Sequence, residues 1–186
     1  MTVGEETLVQ LKRVGVADAP IIFESWGRRA ENFTYLTARV FAELGDAQAY
    51  VAGLFQTPES LAFHIVEPLG NVVGIVKASV QGHRALVGYV VDKPHWGKGF
   101  ATDAVRQIVA VLDATPAISR IWATCALDNR ASARVLEKAG FTREAILKNW
   151  VIYPAQGARA FDNYSYVRAL GAGGQQAVPA DGRASS

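Results

Sequence analysis

The residues best suited to chemistry lie in one short run, Pro94-His95-Trp96-Gly97-Lys98-Gly99-Phe100-Ala101-Thr102. Gly97 and Gly99 carry no Cβ, so backbone N–H groups there can point outward and approach a ligand closely. A helix beginning behind them adds unpaired N–H groups and the positive end of its dipole. Together these suit a pyrophosphate, and Lys98 adds charge. The run is not a P-loop, which needs GxxxxGK and then Ser or Thr. Nor is it the dinucleotide fingerprint GxGxxG: Thr102 stands where the third glycine belongs, and the preceding strands read as antiparallel. On this run alone, a glycine-rich turn capping a helix with no ligand is the competing reading.

A second run, Asn129-Arg130-Ala131-Ser132-Ala133-Arg134-Val135-Leu136-Glu137-Lys138-Ala139-Gly140-Phe141, lies one helix and one strand further on. The two runs resemble motifs of the GNAT acetyltransferase superfamily. The first, with Gly88 to Asp92 before it, looks like that family's acetyl-CoA motif, of general form Gln/Arg-x-x-Gly-x-Gly/Ala. Trp96, Gly99 and Ala101 take its three positions. Trp96 departs from the general form but is usual in the branch containing the ribosomal-protein-alanine N-acetyltransferases. The second run is similar to the NxxSxxxxEKxGF run of that branch. With strand order included, the resemblance covers most of residues 8–168; residues 26–60 match nothing usable.

The resemblance implies transfer of an acetyl group from acetyl-CoA to a primary amine, on a protein N-terminus or a small molecule, by direct attack in a ternary complex. It implies an α/β (α+β) fold: a mixed, mostly antiparallel sheet of about seven strands, flanked by helices and splayed at the cofactor. Cofactor contacts then fall on Val90, Val91, Trp96, Gly97, Lys98, Gly99, Phe100, Ala101, Thr102, Asn129 and Ser132. A backbone N–H near Val90 or Val91 would stabilise the oxyanion. Ser132 becomes the donor to the leaving thiolate, because Leu136 stands where many members carry a Tyr. A hydroxyl bonding its own helical turn is the alternative for Ser132, and simple N-capping is the alternative for Asn129. Asp162 and Tyr164 resemble the acceptor-side ending of the branch. A monomer or homodimer is expected. A non-catalytic acyl-CoA-binding module is the rival reading.

The attacking amine must be neutral. An α-amino group, with a reference pKa near ~7.7–8.0, asks for less help than a lysine near ~10.4. Glu24, His64, Asp92 and Glu144 are candidate bases with nothing to rank them. His95 either touches the cofactor or is an ordinary loop residue. His64 and His83 lie far apart, and with one Cys and no HxxxH spacing no metal site is expected. Cys125 reads as a small buried hydrophobe. Trp26, Phe33, Tyr35 and the run Trp150-Val151-Ile152-Tyr153 would wall an acceptor pocket or simply pack.

These residues need elements to hold them. Leu8–Val14 reads as a first strand. Asp18 would cap a helix from Ala19 to about Arg29, with Pro20 in its first turn. Residues 31–55 carry weaker helical patterns broken near Gly45-Asp46, with Asp46 as an N-cap. Ser60–Val66, Asn71–Val80 and Arg84–Asp92 read as three strands joined by short hairpins. Ala101, Ala104, Val105, Ile108, Val109 and Leu112 share one face of a helix over 99–113. Arg120–Ala126 is a strand, Asn129–Ala139 a helix closed by Gly140, and Phe141 onward and Asp162–Val167 the last strands.

Of 186 residues, 19 are Lys or Arg, 17 are Asp or Glu, and half are hydrophobic. That length suits one domain, placed at 1–170, with a Gly/Ala/Ser-rich tail at 171–186 expected to be disordered. The net charge of +2 is interspersed, which argues against nucleic acid as a partner. One Cys requires no oxidising compartment. No run approaches ~18 apolar residues, and residues 1–10 lack an apolar signal core. A cytoplasmic protein without a membrane partner is therefore expected.

Overall fold

The computed structural model describes residues 7–168; the tail at 171–186 lies outside them. The elements run β1 (Gln10–Arg13), α1 (Ala19–Ile22), α2 (Leu44–Leu54), β2 (Leu61–Val66), β3 (Val72–Gln81), β4 (Arg84–Val91), α3 (Phe100–Asp113), β5 (Arg120–Ala126), α4 (Arg130–Lys138), β6 (Phe141–Ile152) and β7 (Ala160–Arg168). The seven strands form one sheet in the order β1-β2-β3-β4-β5-β7-β6. All neighbours are antiparallel except β4 and β5. A parallel pair needs a crossover, and α3 supplies it. Gly82, at φ +58, makes the tight turn between β3 and β4.

Both sheet faces are covered. On one, Val76, Val87 and Ile121 pack with Ala104, Val105, Ile108 and Leu112 of α3 and Leu136 of α4. On the other, Ile75 and Val90 pack with Ile22, Val51 and a cluster around Trp26. The 3- and 4-residue spacing of α3 thus lands on the core as its sequence requires. Among the described residues no helix is long and apolar enough to cross a membrane.

Two expected elements differ. The helix from Ala19 stays α-helical only to Ile22, then widens into a π turn over Phe23–Gly27. Arg28 N–H donates to Phe23 O at 3.3 Å across that turn. The wide turn seats Trp26 in the core, with Phe33, Phe41 and Tyr50 rings 5.8 to 6.1 Å from it. Gly27 has no room for a Cβ against Phe41. The second difference is in α2, which is not broken at Gly45-Asp46. Glu43 is its N-cap residue and Asp46 sits three positions in. There the Asp46 carboxylate accepts from Ala42 N–H at 2.8 Å and Glu43 N–H at 3.2 Å.

Candidate active site

The parallel pair is short. β4 and β5 are in register only from Arg84–Leu86 against Arg120–Trp122. Beyond Leu86, β4 follows β3 as far as Val91, while β5 follows β7 to Ala126. The strands part, and a cleft of about 1030 Å³ opens between them. Its walls include Tyr35, Lys77, Tyr89, Gly99, Ser132 and Tyr153.

The ladder decides which backbone groups face the gap. Asp92 N–H donates to Val73 O at 2.7 Å. In an antiparallel pair the bonded residues recur every second position. Val90, like Asp92, therefore turns its N–H toward β3, and Tyr89 and Val91 turn theirs into the gap. The carbonyl of Val91 is already taken, by the Trp96 indole N–H at 2.6 Å. Trp96 remains 54% exposed and ties the loop to the end of β4.

Past that tie, Gly97 and Gly99 adopt left-handed backbone at φ +77 and +84. Gly99 is the N-cap residue of α3, and no side chain caps that end. Gly97, Gly99, Phe100, Ala101 and Thr102 line the cleft mouth, so the free N–H groups of the first turn sit at its rim. The Asp103 carboxylate in that turn is engaged elsewhere, accepting from Leu8 and Val9 N–H at 2.8 and 2.9 Å. Lys98 does not line the cleft, and its ammonium lies 5.9 Å over the Phe100 ring.

Across the gap, α4 starts at Asn129, whose Oδ1 accepts from Ser132 N–H at 3.1 Å. Asn129 is thus an N-cap that also lines the cleft. The Ser132 hydroxyl does not bond its own turn; it meets the Tyr89 hydroxyl at 2.8 Å. Burial pushes the Tyr89 phenol pKa up, so it stays protonated. Cys125 also lines this wall, is 4% exposed, and its thiol pKa is pushed up to about 11 by burial. It is an unreactive wall residue. Leu136 is fully buried in the core.

Several expected site residues stand elsewhere. Asp162 accepts from Lys148 Nζ at 2.7 Å and Asn149 N–H at 2.9 Å, which braces the irregular stretch of β6 around Asn149. Tyr164 lies under the Arg143 guanidinium, 3.9 Å from its centroid. Neither lines the cleft. Between them Asn163 turns the other way, 1% exposed, and donates to the Tyr153 hydroxyl at 2.7 Å in the cleft wall. None of the four candidate bases is in the cleft. Glu24 pairs with Arg28, His64 with Asp18, Asp92 with Arg29 and Asn32, and Glu144 with Arg120. The carboxylates that do line it are Glu31 and Asp128; burial, with Asp128 nearby, pushes the Tyr35 phenol pKa up. Trp26 and Phe33 are packing residues, whereas Tyr35 and Tyr153 wall the cleft, edge to face at 5.9 Å.

Solved acetyltransferases share this fold. RimL, a ribosomal alpha-N-protein acetyltransferase in complex with coenzyme A, superposes with a TM-score of 0.78 over 90% of this chain and 97% of its own, at 18% identity. A GNAT-family acetyltransferase from Bacillus anthracis gives 0.73 over 90% and 97%, at 22% identity. Residues 9–142 match the acetyltransferase (GNAT) domain model, and the chain belongs to that family. Among curated relatives, the uncharacterized N-acetyltransferase YoaA of Bacillus subtilis is 30% identical over 104 residues, 54% of this chain and 59% of its own length. The uncharacterized N-acetyltransferase p20 of Bacillus licheniformis is 24% identical over 84% of this chain and 89% of its own.

Proposed function

We propose that this protein transfers the acetyl group of acetyl-CoA to a primary amine by direct attack in a ternary complex. The observation that carries the reading is the gap beside β4. It presents a free strand edge, with the Tyr89 and Val91 N–H groups, that leads to an uncapped helix start. The N–H groups of Gly97, Gly99, Ala101 and Thr102 receive the pyrophosphate. The amides of the pantetheine arm pair with the free edge of β4 at Val91, next to the phosphate loop. The thioester oxygen, further along, then faces the Tyr89 N–H, which stabilises the charge that develops as the amine attacks. The nitrogen–carbon bond forms, the carbon–sulfur bond breaks, and the thiolate takes a proton from the Ser132 hydroxyl. Tyr89 orients that hydroxyl and stays protonated. The amine's surplus proton leaves to water, and water returns a proton to the Ser132 oxygen, so the protein ends as it began. Asn129 fixes the start of α4 and so the position of Ser132.

Acetyl-CoA at a hundredfold excess over its Kd should stabilise the fold by about 2.7 kcal/mol, read as a rise in Tm. Incubation with acetyl-CoA and pooled peptides and amines should release free thiol, and mass spectrometry should find the acetylated product. Binding without turnover on any acceptor would recast the chain as an acyl-CoA-binding module. No rise in Tm would remove the cofactor.

A further inference from the structure

Lys77 sits in the middle of β3, opposite Ala62 on β2 and Gly88 on β4. Ala62 packs with α1 and α2, so Lys77 lies on that face of the sheet. Its stem crosses β4 over Gly88: a Cβ there would meet Lys77 Cε at 3.7 Å. The side chain therefore runs toward the cleft, which it lines together with Ser79, Tyr50 and Ala38. A smaller cavity of about 460 Å³ behind it, reaching to Gln56 and Ser60, shares these same four residues. Lys77 thus stands where the two spaces meet.

The ammonium lies 5.4 Å over the Tyr50 ring, an arrangement that favours the charged form. Burial acts the other way and lowers its pKa. Among the described residues no carboxylate pairs with it. A desolvated cation in a cleft wall favours an anionic partner. The loop proposed for the phosphates is not placed to supply it: it begins beyond Val91, three residues or about 10 Å along β4 from Gly88, and the other residues assigned to the cofactor, Asn129 and Ser132, begin α4, which packs on the opposite sheet face.

Building on the proposed acetyl transfer, we infer that Lys77 is a specificity residue of the acceptor site. The acceptor is an amine that also carries an anionic group, a carboxylate or a phosphate, which pairs with the Lys77 ammonium beside Tyr50. Polycationic amines are repelled from the same place.

Matched acceptors test this: a dipeptide against its C-terminal amide, an amino sugar against its phosphate ester, and spermidine as the polycation. Wild type should favour the anionic member by at least about tenfold in kcat/KM. Lys77→Met should bring that ratio near one, Lys77→Glu should invert it, and Lys77→Arg should keep it. The acetyl-CoA Kd should stay within about threefold throughout. Where no pair turns over, titration of the same pairs into the CoA-loaded protein reads the same ratio. The inference is overturned if wild type prefers the neutral or polycationic acceptor, or if Lys77→Met leaves the preference intact. It is equally overturned if neither member binds, or if Lys77 itself is found acetylated. Failure of acetyl-CoA to bind is a separate result, which removes the transfer reading and this one with it.

Discussion

Gly99 has two reasons to be glycine. Its backbone is left-handed, and a Cβ would press on the Leu8 side chain at 3.0 Å. Gly99→Glu adds strain and a negative charge at the rim meant for phosphates. Acetyl-CoA affinity should fall more than about a hundredfold, near 2.7 kcal/mol, by calorimetric titration. Ser132→Ala should instead act on the chemical step. A kcat loss of about a hundredfold with Kd within about threefold is expected, since general-acid help is typically worth that much. Equal losses in kcat and binding would make Ser132 a binding residue only. That these two residues stand at helix starts was legible in the sequence because the signals are local: a glycine loop before a helix, and a hydroxyl one turn after a cap. Asp162 and Tyr164 stand outside the cleft lining. On a strand one residue's offset changes the face, and Asn163 between them is the one that hydrogen-bonds Tyr153 of the cleft wall. Lys77, Tyr35 and Tyr153 carried no local signal, because only the assembled sheet brings them together.

At the scale of elements, β4 must be both bonded and free. Gly74 lets β3 approach it: a Cβ there would collide with the Val90 carbonyl. Gly74→Ala should push β4 outward where the proposed mechanism needs its free edge aimed. A stability loss of about 1–3 kcal/mol by urea unfolding is expected, with a fall in kcat exceeding that in acetyl-CoA affinity. Unchanged kcat in a folded variant would detach the β4 edge from the chemistry. The boundaries of α3 followed from periodicity, because its buried face is long and regular. Those of α1 did not. There the burial of Trp26 overrides helical propensity and widens the turn, a tertiary effect no local pattern carries.

Across the whole molecule, the two packed faces are coupled through the sheet, and the chain between β1 and α1 must be fastened to it. Asp18 does this. Its carboxylate accepts from Gly15 N–H at 2.7 Å and meets His64 Nε2 on β2 at 3.0 Å. The Gly15 hydrogen bond, with His64, holds the Asp18 carboxyl below its usual range. A depressed folded pKa means stabilisation present above the unfolded value near ~4 and lost as pH falls through the folded one. Asp18→Asn should therefore cost about 1 kcal/mol at pH 6, and the gap to wild type should close toward pH 3. A gap constant over that range would mean that shape, not charge, is what Asp18 contributes.

The tie between the Trp96 indole and the Val91 carbonyl also gives the molecule an optical gauge. This half-exposed fluorophore is hydrogen-bonded to Val91, on the edge proposed to take the pantetheine arm, and it precedes the glycine loop proposed to take the phosphates. Trp26 is sealed in the core, Trp122 is half-buried on β5, and Trp150 lies on β6. Emission should shift when acetyl-CoA fills the gap, in proportion to occupancy. The shift should survive Trp122→Phe and Trp150→Phe and vanish in Trp96→Phe, so cofactor loading could be followed in real time without a label.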